Sequence, residues 1–499
     1  MNKKLFLIVL SYLVIIFEVF ISFFYNPIFF RLISIEEFGK YNYLLSLVSY
    51  FSLLNIGLGG TYLRFFYKLD KNDYDYNFKL ISLNNSFIHL LKSLTVLGMF
   101  FLFGFLVFTF LDLIPFISVD LILPFIVLVI IELTNIYSVF MNGIIFTHNK
   151  LIFLKVISFL FIILRPSLTI TFILIEPNII SLVISSFIFS LVTILIKIFF
   201  INRNKLFQIS KSKVNSNSFF PILSFSALVL VNMVVDTFTY SIGKTIIGLR
   251  SSLSSVSLYS ISIQLVIYFI TLSTIVNEVF ITQVHSHSNS SQKLYDFHLL
   301  NVVSIYKLSI LSFLLVGFFF YGELFLAFWT NNKLIDAYFS TMIYLTALLI
   351  PISQNLVIEY LKSRNKYFFK TIVSVISLIL FIVLSLFSVS YLDFYGPIVS
   401  ISIVLFIFNV IILNIYYKKL GIDFTYYWRT FLLKIIPTNF LIISLSYIVK
   451  GYLIPFNIVY LNSIFQVLVI SSIYVILFLF FILEKNEKRR VMTFIRKLL

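Results

Sequence analysis

LFLFFIL, at Leu477–Leu483, is the stretch that decides the fold of this chain. Its seven consecutive apolar residues offer no polar side chain to a water-filled interior. A strand of a membrane barrel alternates apolar with polar residues, and this run does not. In lipid, every backbone N–H and C=O must be hydrogen-bonded inside the protein, so a spanning segment without that alternation is a helix. The run therefore predicts an all-α membrane protein.

The remainder of the 499-residue chain has the same character. Hydrophobic residues make up 60% of it and charged residues 11%, whereas a soluble domain carries about 25% charged residues. Apolar runs of about 20 residues, long enough to cross the hydrocarbon core, recur from end to end. The first is too long for the core of a signal peptide and has no cleavage site, so it is expected to remain as a helix. The fourteen predicted spans lie at about 5–30, 41–61, 80–108, 121–145, 151–175, 178–201, 219–242, 257–282, 299–320, 338–358, 370–390, 396–416, 434–450 and 459–483.

Basic residues are distributed unequally between the two sides that these spans define. With the N-terminus in the cytoplasm, 28 of the 37 Lys and Arg residues fall in tails, loops or helix ends on that side, among them Lys155 and Lys197. Six fall on the outer side, and three lie inside spans. A cytoplasmic excess of this kind is what the positive-inside rule requires. It predicts an even number of helices, with both termini in the cytoplasm.

Three sequence similarities at nearly one offset indicate an internal repeat of six spans. An even number of spans in each half gives parallel repeats, which can move against each other around a central cavity. The similarities pair Leu13–Tyr41 with Val231–Tyr259, Thr147–Phe153 with Ser363–Phe369, and Lys92 with Lys307, at offsets of 218, 216 and 215. The predicted domains are an N-lobe at 1–201 (spans 1–6), a basic cytoplasmic connector at 202–218, a C-lobe at 219–416 (spans 7–12), and a region at 417–499 with spans 13 and 14 and a basic tail.

Several classes of function are excluded by residue types that the chain lacks. It contains no cysteine, so disulfides and thiol chemistry are excluded, and its five histidines form no metal motif. It has no Gly-rich phosphate loop, which argues against an ATP-driven pump. The net charge of +17 follows from the basic cytoplasmic loops and does not indicate a nucleic-acid partner. No cofactor and no enzymatic activity are expected.

Ionisable residues inside the spans are candidate functional residues, because each is costly in lipid unless it faces a cavity or a partner. Basic side chains deep in a cavity suit an anion such as phosphate, and a buried carboxylate suits a coupling cation or an ion pair with a lysine. The acidic candidates for a coupling cation or a cavity are Glu18, Asp236, Glu132 and Glu278. The basic candidates for an anion site are Lys92, Lys307 and Arg165 inside spans, with Arg31 and Arg250 near the outer mouth. The simpler alternative is that these groups only join helices to one another.

One segment after the first span carries a family resemblance. Arg31–Leu53 reads RLISIEEFGKYNYLLSLVSYFSL and is followed by Asn55-Ile56-Gly57-Leu58-Gly59 and Arg64. It resembles the signature of polysaccharide flippases in the multidrug/oligosaccharidyl-lipid/polysaccharide exporter superfamily, an LG-x-E-x-(F/Y)-G-x-Y motif with a later Gly-rich turn and Arg. Ile33-Ser34 stands here where Leu-Gly is usual. The positions that keep the pattern are Glu36, Glu37, Phe38, Gly39, Tyr41, Gly57 and Arg64.

The resemblance implies a flippase for O-antigen or a capsule repeat unit. Such a protein moves an undecaprenyl-pyrophosphate-linked oligosaccharide across the bacterial inner membrane, with membrane lipid around it. Candidate further partners are a coupling ion, H⁺ or Na⁺, and a polysaccharide polymerase. The alternatives are a lipid II flippase, a cation-coupled multidrug exporter of the same fold, and a membrane scaffold that transports nothing.

Overall fold

The structure is a computed structural model. It describes residues 3–55, 58–67, 69, 74–110, 118–148, 150–207, 216–286, 293–364, 366–452, 466, 469–474 and 477–478.

Helices account for nearly all of these residues, and the described ranges contain no strand. The all-α prediction is confirmed. The α-helices are α1 (Lys3–Leu32), α2 (Ile35–Val48), α3 (Leu58–Tyr67), α4 (Tyr76–Phe110), α5 (Val119–Thr147), α6 (Leu151–Ile175), α7 (Ile179–Arg203), α8 (Ser216–Arg250), α9 (Leu253–Ser286), α10 (Lys293–Trp329), α11 (Ala337–Ser353), α12 (Leu356–Ser363), α13 (Phe368–Leu392), α14 (Tyr395–Val404), α15 (Leu413–Lys419), α16 (Thr425–Thr430) and α17 (Ile436–Tyr452).

Ten helical segments in the described part of the chain are long and apolar enough to cross a membrane. Large apolar side chains stay exposed along them, such as Phe103 on α4 and Leu195 on α7. Such side chains suit contact with lipid tails. The chain is therefore a multi-pass membrane protein. The count of fourteen helices stays a prediction, and most of the fourteenth span, 459–483, lies outside the described residues.

The second predicted span, 41–61, is not one continuous α-helix. Its first part is α2, which gives way to a 3₁₀ segment at Ser49–Asn55 before α3 begins at Leu58. The hydroxyls of Ser49 and Ser52 each donate a 2.6 Å hydrogen bond to a carbonyl three residues earlier. Hydrogen bonds of this kind compete with the helical pattern.

Gly59, just after that break, allows α3 to approach α5 closely. A Cβ atom at Gly59 would lie 2.8 Å from the carbonyl oxygen of Val139, and one at Gly143 would lie 2.8 Å from the carbonyl oxygen of Gly59. Small residues are what allow two membrane helices to meet backbone to backbone. The Gly-rich turn of the sequence motif thus has a packing role.

Three later spans also depart from regular α-helix. The tenth breaks at Gln354 and Asn355, between α11 and α12. The twelfth contains a π-helical segment at Leu405–Ile412, and another π-helical segment, Phe431–Ile435, overlaps the start of the thirteenth. Where the backbone of a span departs from a regular α-helix, its side chains point in directions that the α-helical period does not predict. π-Helical segments are frequent at functional sites.

The chain divides into two compact units. The first is Met1–Ser260 together with Trp329–Leu334 and Val389–Phe394. In it α5 packs against α3 and α7, α6 packs between α1 and α7, and α2 packs against α8. The predicted repeat halves, 1–201 and 219–416, stay a prediction.

The second unit contains the remaining residues, from Ile261 onward. Helix α11 packs against α14 and the π segment that follows it. Val316 of α10 forms a buried cluster with Ile442 of α17 and with Ile470 and Tyr474. The Tyr474 hydroxyl also donates a 2.5 Å hydrogen bond to the Ser309 carbonyl. Residues of the last two predicted spans therefore pack on the ninth.

Candidate functional site

Glu37 of the sequence motif joins α2 to α7 in the first unit. Ser34 caps α2 by accepting a hydrogen bond from the Glu37 backbone N–H at 3.2 Å. One carboxylate oxygen of Glu37 accepts from the backbone N–H of Ile179, the first residue of α7, at 2.7 Å. A carboxylate at a helix N-terminus is favoured by the helix dipole. The other oxygen accepts from Lys40 Nζ at 2.7 Å, and this hydrogen bond raises the pKa of Lys40.

Gly39 brings α2 against the start of α9. A Cβ atom at this position would lie 1.8 Å from the carbonyl oxygen of Leu253. Next to this contact, Ser257 Oγ donates to the Ile35 carbonyl at 2.5 Å. Any side chain at position 39 would push the two backbones apart, so the motif requires glycine there.

Polar side chains connect α2 to α8 one turn further along. Lys244 Nζ donates to Asn42 Oδ1 at 3.2 Å. The Thr245 hydroxyl lies 3.0 Å from the hydroxyl of Ser46 and 2.8 Å from that of Tyr50. These contacts and those of Glu37 and Gly39 form what we call the α2 network.

Two connecting segments from later in the chain, which contain Lys333 and Asp393, also contact this end of the first unit. Lys333, half-buried between α10 and α11, donates to the Ile33 carbonyl at 2.5 Å, and burial lowers its pKa. Asp393 accepts hydrogen bonds from the hydroxyls of Ser251 and Ser255, the latter at 2.6 Å. The segment that carries the family resemblance is therefore a point where distant parts of the first unit meet.

Most of the predicted site residues in the first unit have exposed side chains. Arg165 lies with its guanidinium 5.8 Å from the centre of the Phe189 ring, a cation–π distance. Glu132 is half-buried and accepts from Asn135 Nδ2 at 3.2 Å. The exposed candidates are Glu18, Arg31, Lys92, Arg165, Asp236 and Arg250.

Lys307, the predicted partner of Lys92 in the repeat, is fully buried in the second unit. Its side chain is 1% exposed. Its Nζ donates to Asn277 Oδ1 at 2.8 Å and also to Asn355 Oδ1. Asn277 Nδ2 in turn donates to Asn355 Oδ1 at 2.6 Å. The ammonium is thus held by two neutral amides from α9 and from the break between α11 and α12. The side chain of Glu278, the remaining acidic candidate, lies outside the described residues.

Two polar pairs between helices were missed by the sequence reasoning. Lys197 was counted among the basic residues at helix ends, yet it is 6% exposed and donates to Ser138 Oγ at 2.6 Å. In the second unit, Gln354 and Asn414 exchange two hydrogen bonds of 3.1 and 3.0 Å. The predicted repeat could have related the two pairs. At its offset of 216 residues, Ser138 aligns with Gln354, and Lys197 aligns one residue from Asn414.

The solved structure of the lipid II flippase MurJ in an inward closed conformation aligns with nearly the whole chain. The alignment covers 95% of this chain and 98% of MurJ, with a TM-score of 0.71 and 15% identity. A multidrug resistance MATE family transporter of the MOP superfamily aligns over 82% of this chain and 98% of its own, with a TM-score of 0.57 and 12% identity. A variant of the Vibrio cholerae MATE transporter VcmN aligns over 86% and 100%, with a TM-score of 0.57 and 9% identity.

The chain has the fold of MurJ and the MATE transporters. At these identities the likeness concerns the fold alone. No protein-family model matches the sequence, and no curated protein matches it either.

Proposed function

We propose that this protein is a flippase that moves a polyprenyl-pyrophosphate-linked oligosaccharide, an O-antigen or capsule repeat unit, across the bacterial inner membrane by alternating access. The observation that carries the proposal is the extent of the fold likeness. The alignment with MurJ includes 95% of this chain, whereas the MATE alignments include 82–86% of it. The flippase thus resembles this chain over a greater length than the multidrug transporters do.

The motif at Arg31–Arg64 supports a polysaccharide substrate over lipid II within that fold. Its residues contact three other parts of the first unit: Glu37 contacts α7, Gly39 contacts the start of α9, and the Ile33 carbonyl accepts a hydrogen bond from Lys333. The signature separates this branch from drug-exporting relatives better than it names a substrate. The polysaccharide assignment therefore rests on the sequence resemblance.

Exposed basic side chains of the first unit would bind the pyrophosphate. Arg165 and Lys92 lie within spans and Arg31 and Arg250 lie at helix ends, all with exposed side chains. Guanidinium groups bind phosphate oxygens in a bidentate manner, and lysines act as point charges. Lys307 is 1% exposed and its ammonium donates to Asn277 and Asn355, so anion binding by this residue stays a prediction.

Coupling to an ion gradient is the second part of the proposal. Glu18 and Asp236, both exposed within spans, are the residues that would take up H⁺ or Na⁺. A carboxylate that lines a cavity inside the membrane is a usual location for ion coupling.

Deletion of the gene, followed by complementation, tests the proposed function. We expect lipid-linked repeat units to accumulate on the cytoplasmic side and surface polysaccharide to be lost, and we expect the plasmid-borne gene to restore both. Normal surface polysaccharide in a deletion strain without a paralogue would overturn the proposal.

The same strains separate the alternatives. Rescue of a strain depleted of its lipid II flippase would indicate lipid II as substrate. Lowered sensitivity to cationic dyes on expression would indicate drug export. Full activity after charge reversal at Arg165 and Asp236 would indicate a scaffold.

A further inference from the structure

A cavity of about 500 Å³ lies within the first unit, between α3, α5, α6 and α7. Most of its wall is apolar, including Leu63, Phe146 and Phe161. The size is in the range of small-molecule and lipid sites, which are mostly apolar with a few placed polar groups. None of the residues predicted as functional from the sequence lines it. Its polar lining consists of Asn142, Ser158, Thr193 and Lys197.

Lys197 places an ammonium group in the wall of this cavity, and its described hydrogen-bond partner is not a carboxylate. The side chain is 6% exposed, and its contact in the described part of the chain is the neutral hydroxyl of Ser138. Among the described residues that line the cavity, none is acidic. An ammonium has three donors, so two remain for a ligand. A buried charge is costly unless an opposite charge approaches it, and an anionic ligand would supply that charge.

Asn142 brings an acceptor to the same cavity. Its Oδ1 atom is buried and has no hydrogen-bond partner among the described residues. Asn142 follows Ser138 by four residues on α5, so both lie on one face of the helix. The hydroxyls of Ser158 and Thr193 donate to carbonyls of their own helices. Two groups therefore remain for a ligand: the Lys197 ammonium can donate hydrogen bonds to it, and the Asn142 Oδ1 atom can accept one from it.

The cavity lies near one end of these helices. Lys197 is six residues before the end of α7 at Arg203, and Asn142 is five residues before the end of α5 at Thr147. At 1.5 Å per residue, both lie about 8–9 Å from the helix ends. The distribution of Lys and Arg predicts that this end faces the cytoplasm. Basic pockets between spans on that side suit the headgroups of anionic lipids.

The second unit shows that helix packing does not require the charge. At the repeat offset of 216–217, Gln354 and Asn414 take the places of Ser138 and Lys197, and Ile358 takes that of Asn142. Gln354 and Asn414 join their two helices by two hydrogen bonds between neutral amides. Because a neutral pair suffices there, the ammonium of Lys197 calls for a further explanation.

We propose that this cavity binds one phosphatidylglycerol molecule from the leaflet at that end of the helices. Lys197 contacts the phosphate, and the Asn142 oxygen accepts a hydrogen bond from a hydroxyl of the glycerol headgroup. The acyl chains continue along the exposed apolar side of α6, where Leu160 and Ile163 lie about half exposed. The site is separate from the transport proposal and can be tested without a transport assay.

Lipid binding to the purified full-length protein is the test. Retained lipids are counted by native mass spectrometry, and affinities come from the rise in thermal midpoint as phosphatidylglycerol or phosphatidylcholine is added to the detergent solution. We expect the wild type to retain one phosphatidylglycerol and to prefer it over phosphatidylcholine. Lys197→Gln keeps an amide for Ser138, as in the second unit, and should weaken phosphatidylglycerol binding at least about tenfold, the usual effect of losing a hydrogen bond to a charged group.

Two further variants keep the test decisive. Lys150→Gln removes the same charge from the exposed residue before α6, outside the cavity, and should leave binding unchanged. Asn142→Leu introduces an apolar side chain like that of Ile358 in the second unit and should weaken binding several-fold. Equal affinity for the two lipids, full retention in Lys197→Gln, an equal loss in Lys150→Gln, or displacement of the lipid by millimolar inorganic phosphate would each overturn the proposal.

Discussion

Lys307 Nζ lies 2.8 Å from Asn277 Oδ1, and the same ammonium donates to Asn355, so a fully buried charge in the second unit is held by two amides. The three residues come from α9, from α10 and from the break between α11 and α12. The contact therefore ties the irregular backbone of the tenth span to two neighbouring helices. In the described part of the chain the partners of this lysine are neutral, in contrast to the carboxylate partner considered in the sequence analysis as an alternative to anion binding.

Replacement of Lys307 separates the role of its hydrogen bonds from that of its charge. Lys307→Gln can still donate to one amide, whereas Lys307→Met leaves the two asparagine oxygens without this donor. We expect Lys307→Met to lower the free energy of unfolding by about 1–3 kcal/mol relative to Lys307→Gln, the cost of an unsatisfied buried group. Thermal unfolding in detergent measures the difference. Equal stability of the two variants would mean that the amide contacts do not stabilise the second unit.

Lys92→Gln tests the anion site of the first unit. The Lys92 side chain is exposed on α4, so its loss should leave expression and membrane insertion normal. If the side chain binds pyrophosphate, flipping of the lipid-linked oligosaccharide should fall at least tenfold. Lys79→Gln, an exposed lysine on the same helix, is the matched control and should retain activity. Normal flipping in Lys92→Gln would remove this residue from the site.

Gly39→Ala tests the close approach of α2 to α9. The new Cβ would lie 1.8 Å from the Leu253 carbonyl oxygen, so one of the two backbones must shift. Overpacking of this kind costs about 1–3 kcal/mol. Gly104→Ala is the control, because nothing lies within 4 Å of that position, and alanine there should be neutral or stabilising by up to about 1 kcal/mol. Similar thermal midpoints for the two variants would contradict the packing described for Gly39.

Glu37→Gln tests the connection between α2 and α7. The change removes a charge that accepts from the Ile179 N–H and pairs with Lys40, and we expect it to cost about 1–2 kcal/mol of stability. Glu36→Gln is the control: Glu36 contacts Lys40 at 3.1 Å, but its side chain is 64% exposed. A surface pair of this kind contributes little. Chemical unfolding of both variants should rank Glu37→Gln as the less stable, and the reverse order would exclude a role for Glu37 as a helix cap.

The double change Glu18→Gln and Asp236→Asn tests coupling. Both side chains are exposed within spans, so the protein should fold and insert at normal levels. Transport should fall, and what remains should no longer respond to the membrane potential or to an imposed ion gradient. Asp120→Asn, exposed at the start of α5, should leave both properties intact. Unchanged dependence on the gradient in the double variant would show that the coupling ion binds elsewhere.

The sequence predicted the all-helical class, because that class depends on runs of apolar residues that are local in the chain. The predicted fifth span, 151–175, coincides with α6, Leu151–Ile175. The breaks in the second and tenth spans were not predicted. At the first break Ser49 and Ser52 donate to carbonyls three residues earlier, and at the second Gln354 and Asn355 have hydrogen-bond partners on other helices. Hydropathy does not register either kind of contact.

The site was predictable only in part, for a related reason. A charge inside a span indicates function, yet sequence position alone does not say whether its side chain is enclosed. The predicted repeat pairs Lys92 with Lys307, yet the Lys92 side chain is exposed and the Lys307 side chain is 1% exposed. Lys197 was counted with the basic residues of the cytoplasmic side, whereas the neighbouring helices enclose its side chain. Only the packing of distant segments distinguishes these cases.

The contact at Gly39 has a mechanical consequence. Flexible side chains between two helices can rotate and let the helices separate gradually, while each intermediate spacing keeps some contact. At Gly39 the nearest atoms are those of the Leu253 carbonyl, so the contact is mainly backbone against backbone, and a backbone carbonyl has little freedom to follow its partner. The spacing of α2 and α9 at this point therefore has one favourable value, and a small separation of the two helices would lose the contact outright instead of weakening it by degrees.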